Sequence, residues 1–117
     1  MTGRDEAVPT LPATVVAAHL KACATELAVG RGAPNVSDLA DLTAVVEDLV
    51  AGQQQIAIAL AHLADQLTAR QRGTDLSALA EVLTAAATAT GHAADALAES
   101  RPVLDIVRTS AGPDTQL

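Results

Sequence analysis

From Ser37 onward the chain keeps a steady beat of large apolar residues. Leu39, Leu42, Val46, Leu49, Gln53, Ile56, Leu60, Leu63 and Leu67 follow at alternating steps of three and four. That spacing holds one stripe on one side of an α-helix and predicts a helix over about 37–71. Ser37 is placed to cap it, with Asp38 and Asp41 in the first turn, where the helix dipole favours acids. Gly52 costs about 1 kcal/mol relative to Ala in mid-helix. The beat passes through it unshifted, so the pattern predicts one long helix with a soft point. Gly73 ends that helix and Thr74 can cap the next, expected over about 75–100 on the beat Leu76, Leu79, Leu83, Ala86, Thr90, Ala93 and Leu97.

Earlier in the chain, Val16, Leu20, Cys23 and Leu27 make an apolar stripe that predicts a helix over 13–29. Gly30, Gly32, Pro34 and Asn35 supply its stop and connector. Near the other end, Pro102 starts or kinks a short piece over about 102–108, with Val103, Leu104, Ile106 and Val107 as its apolar surface. Residues 1–12 read as a flexible arm and 109–117 as a frayed tail, leaving 13–108 as one helical domain. The expected fold is all-α: an antiparallel helical hairpin within a bundle of three main helices and a short terminal turn.

Two heptad-patterned segments joined by a tight turn fold back on each other, which sets Gln53 opposite roughly residue 91. Both helices turn polar or thin at that level, with Gln53 the one polar residue on its stripe and Thr90 its counterpart. A polar layer of this kind lowers stability but fixes register and oligomer state. The next stretch, IAIALAHLA, is apolar nearly all round, and Ile58 stands roughly opposite Ile56. A helix of that kind is buried all round. At 1.5 Å per residue the long helix runs about 50 Å, against a radius of gyration of about 13 Å for a compact chain of this size. A second copy of the chain is the simplest further cover; the alternative is a break at Gly52 and a compact monomer.

Composition narrows the picture. Of 117 residues, 27 are Ala and 29 are Leu, Val or Ile, with no Phe, Tyr or Trp. Ala has the best helix propensity and lets helix backbones approach closely, so a helical core built without aromatics follows. Fourteen acids against seven bases give a net charge of −7, the wrong sign for nucleic acid or an anionic membrane surface. The longest uncharged apolar run, Ile56–Ala61, is too short to span a bilayer. One cysteine, Cys23, forms no intrachain disulfide, and the opening residues lack the apolar core of a signal peptide. A cytoplasmic protein is the default expectation, with leaderless export left open.

The chemistry-bearing residues are sparse. His19 and Cys23 share a face of the first helix, but two ligands are not a metal site; Cys23 is expected in the core and His19 at its edge. His62 and His92 fall at different levels of the hairpin. No Glu-x-x-His, no glycine-rich phosphate loop and no nucleophile–base pair stands in the sequence, so neither enzyme activity nor a cofactor or metal is expected. In outline the chain resembles the small, acidic, leaderless helical-hairpin secretion substrates of Gram-positive bacteria. Where those carry a Trp-x-Gly turn, this chain reads Arg70-Gln71-Arg72-Gly73. The expected function is a non-enzymatic interaction or assembly module, most simply a homodimer that also docks a helical partner. Its expected seam is Leu49, Gln53, Ile56, Ile58, Leu60, Leu63, Leu79, Leu83 and Thr90. Two alternatives stand beside it: a small-molecule regulator with a pocket at Gln53, Thr90 and His92, and an exported hairpin that pairs with another helical chain.

Overall fold

A computed structural model describes residues 11–29, 37–70, 74–112 and 114–116. Residues 1–10 of the expected arm at 1–12, the connector glycines and Pro34, and the turn with Gly73 lie outside the described residues. The protein is all-α: α1 spans Ala13–Val29, α2 Leu39–Arg70, α3 Thr74–Ala98 and α4 Ser100–Ala111. The chain divides into two compact units, 1–35 and 36–117.

The first unit contains α1, whose 17 residues include no buried one. Val16, Leu20 and Leu27 are exposed, and so is Cys23. The expectation that Cys23 sits in a core is therefore corrected. Nothing in this helix excludes water from the thiol.

In the second unit α2 runs unbroken for 32 residues across Gly52. A Cβ added at Gly52 would meet nothing within 4 Å, so the glycine answers no packing need. The helix begins differently from the expected Ser37 cap. Asp38 is the cap: its Oδ1 accepts the backbone N–H of Asp41 at 2.8 Å, while both the backbone N–H and the hydroxyl of Ser37 donate to the Asp41 carboxylate. The two aspartates thus share the first turn's free donors with the chain before it. Asp38→Ala should lower the unfolding free energy by about 1 kcal/mol in a chemical melt, with Ser37→Ala costing less.

α2 and α3 form an antiparallel hairpin, and the carbonyl demands of its threonines are met locally. The hydroxyls of Thr43, Thr68, Thr84, Thr88 and Thr90 each donate to the carbonyl four residues earlier. Mid-helix threonines are thereby accommodated without a bond to the other helix. After a turn at Glu99, α4 begins at Ser100, which puts Pro102 in the first turn, where a missing N–H loses no helical bond. Arg101 reaches Glu47 of α2 at 2.9 Å.

The tail is held, not frayed as expected. α4 continues to Ala111 and stops at Gly112, whose φ of +94° suits only glycine comfortably. The chain then returns, so that the Leu39 amide donates to the Thr115 carbonyl at 3.1 Å and Asp38 pairs with Gln116.

Candidate helix-docking face

Packing between α2 and α3 is closest along small residues. Val50 and Ala94 are fully buried, and Ala64 and Ala80 nearly so. Val50, Ala57 and Ala64 recur every seventh residue, as do Ala80, Ala87 and Ala94. The register sets Val50 level with Ala94, Ala57 with Ala87, and Ala64 with Ala80; Ala57 and Ala87 line one furrow together. Small side chains on both helices let the backbones come close, and dispersion rather than bulk fills the seam.

This displaces three of the nine expected seam residues by one position. Gln53, Leu60, Leu83 and Thr90 are half-buried, as a seam row should be, and Ile56 is half-buried beside Ala57. Leu49, Leu63 and Leu79 stand 37%, 44% and 46% exposed, while the smaller residue after each is buried. One residue is roughly 100° of helix rotation, so these leucines point to one side of the seam, not into it. Ile58, 47% exposed, lies on the opposite side from Ile56, in an open furrow with Gln54, Thr88, His92 and Asp95.

The hairpin therefore has two unlike faces. Because the helices are antiparallel, positions just before the seam fall on the same side in both: Leu49, Ile56 and Leu63 on α2, and Leu79, Ala86 and Ala93 on α3. The next row outward reads Val45, Gly52, Ala59 and Gln66 on α2 and Val82, Ala89 and Ala96 on α3. Between Leu42 and Leu67, and between Leu76 and Leu97, this face carries no charge. Glu47, Asp65, Glu81, Asp95 and Glu99 occupy the other half of the hairpin, with two open furrows, one at Thr68, Ser77 and Glu81 and one at His92, while Asp48 stands directly opposite the seam, between the two faces.

Gln53 sits within the charge-free face. Its Oε1 is buried and accepts no hydrogen bond, and the Thr90 hydroxyl is already given to Ala86. The polar layer is thus not a bond between these two side chains. The alternative pocket also comes apart, since His92 lines the acidic-face furrow without Gln53 or Thr90. Among the described residues no three His, Cys, Asp or Glu side chains converge as metal ligands, and no helix is long and apolar enough to cross a membrane.

What the sequence reading missed is the choice between neighbours. Burial selects Val50, Ala64, Ala80 and Ala94 over the leucines beside three of them. The alanine heptads were visible as a second, equally strict beat one residue later. Set against known protein families, curated proteins and solved structures, the chain matches none.

Proposed function

We propose that the protein is a non-enzymatic interaction module that docks helices, its own copies among them, on the charge-free face of the α2–α3 hairpin. One observation carries the reading: Leu49, Leu63, Leu79 and Val82 are 37–63% exposed on a single face that holds no charge. A solvent-facing apolar surface of this extent marks an interaction site. The acids of a −7 chain are all turned away from it between those limits, so an apolar partner meets no desolvated carboxylate there. Helices are the natural occupants, because the ridge and furrow of a helix pair accept another helix with ridges of the same pitch.

The test is an apolar-probe titration with an uncharged dye such as Nile red, together with light scattering. Dye binding or association should fall when Leu63 and Leu79 are replaced by Glu, and should persist when the acidic-face Ile58 is replaced by Glu. Equal loss from either face would remove the reading.

A further inference from the structure

Resting on that reading, we infer that the occupant of the charge-free face is a second copy of this chain, with α2 of each copy lying on α3 of the other. The argument begins with size. On α2 the face presents a ridge of Leu49, Ile56 and Leu63. On α3 the same face is a trough at Ala86, Ala89, Ala93 and Ala96, level with Leu49 and Ile56, and rises to Leu79 and Val82 at the level of Leu63. Ridge and trough belong to one surface, and a two-fold rotation about an axis parallel to the hairpin sets Leu49 and Ile56 of each copy into the other's trough, with Leu63 packed against the partner copy's apolar rise at the start of α3. An isologous interface needs this self-complementarity. The other two-fold choice, α2 on α2, would oppose Leu49 to Leu63 and Ile56 to its own counterpart, ridge against ridge.

Charge and area agree with this arrangement. Two chains of −7 each repel, but with these faces together their carboxylates point outward on opposite sides of the pair. The face is about 37 Å long and, across two helices, about 20 Å wide, so it offers roughly 700 Å². That is close to the ~800 Å² per partner of a stable interface.

Gln53 gives the arrangement its centre. On the seam row of this face, it points toward the two-fold axis, and its counterpart in the other copy arrives at the same height. Its Oε1 lacks a donor in the single chain. That oxygen is enclosed within the single chain, so the second copy meets the rest of the half-buried side chain and leaves Oε1 without a donor.

The experiment is a charge swap on the full chain, read by sedimentation and light scattering at low ionic strength. The wild type should have twice the 11.8 kDa chain mass. Leu49→Lys or Ala93→Glu alone should weaken the pair by about 100-fold or more, since each puts an unpaired charge into the interface. The two together should restore the doubled mass, because Lys at 49 of one copy meets Glu at 93 of the other, and mixing L49K chains with A93E chains, where no such pair can form inside one chain, should restore it as well. Salt should weaken that rescue. Circular dichroism checks that each variant stays helical; Ala89→Glu, exposed on the same trough, replaces any that does not. A dimer untouched by either single change, or singles without rescue, would overturn the α2-on-α3 pair while leaving the docking face. A monomer that binds the apolar dye on this face would overturn the second copy alone. A monomer that binds none would overturn the docking reading as well.

Discussion

Replacing Ala94 with Leu should lower the stability of the hairpin by about 1–3 kcal/mol, the usual cost of forcing methylenes into a packed core. Ala94 has no exposed surface, and it lies level with Val50, which has none either. Added atoms can be housed only by prising α2 and α3 apart, which loosens contacts along the adjoining heptads. Ala64→Leu and Ala80→Leu should behave alike, at 3% and 6% exposure. Ala78→Leu, on an exposed position of the same helix, should change stability by no more than about 0.5 kcal/mol. Urea melts of the four variants at equal concentration decide the matter. If Ala94→Leu proves neutral or stabilising, the hairpin is not closed on its alanines, and the leucine beat is the true seam.

Gln53→Leu should act in the opposite direction and raise the melting temperature. A buried Oε1 without a donor carries a desolvation cost that a leucine removes. About 1 kcal/mol of stabilisation corresponds to roughly 4–8 °C in a unit of this size. The gain should come with lost specificity. With its one polar residue gone, the α2 row has nothing to favour one alignment of two hairpins over another shifted by a heptad, and light scattering should show mixed masses. The outcome that counts against this is a less stable variant of unchanged mass, which would mean that the amide is fully bonded in the protein as it exists in solution.

The element list was nearly complete in the sequence because steps of three and four, capping aspartates and Pro102 act locally. The bounds of α1 agree with the expected 13–29, and the beat through Gly52 does correspond to one helix. Local signals could not decide which of two adjacent heptad rows faces the other helix. Leu49 and Val50 are both apolar, and transfer free energy alone prefers to bury the leucine. Close backbone approach prefers the smaller residue, and that preference exists only once two helices are side by side. The same gap grouped His92 with Gln53, which the hairpin separates onto opposite faces, whereas Ile58 lies opposite Ile56 as the spacing predicts. Asp38 was recognised as a first-turn acid but not as the cap, because Ser37 and Asp38 are equally good caps and their bonds to Asp41 decide between them.

The pairing of Asp38 and Leu39 with Thr115 and Gln116 bears on the order in which the unit comes together. Hairpin contacts near Arg70 and Thr74 join residues that are close in sequence and form at small loop-closure cost. This pairing spans almost the whole unit, so it completes last and, on the ribosome, only after the whole unit has emerged. In the folded protein it should also open first. Amide exchange at the start of α2 and beyond Gly112 should therefore report one shared opening, well below the free energy of global unfolding, while the alanine seam exchanges only when the hairpin itself comes apart.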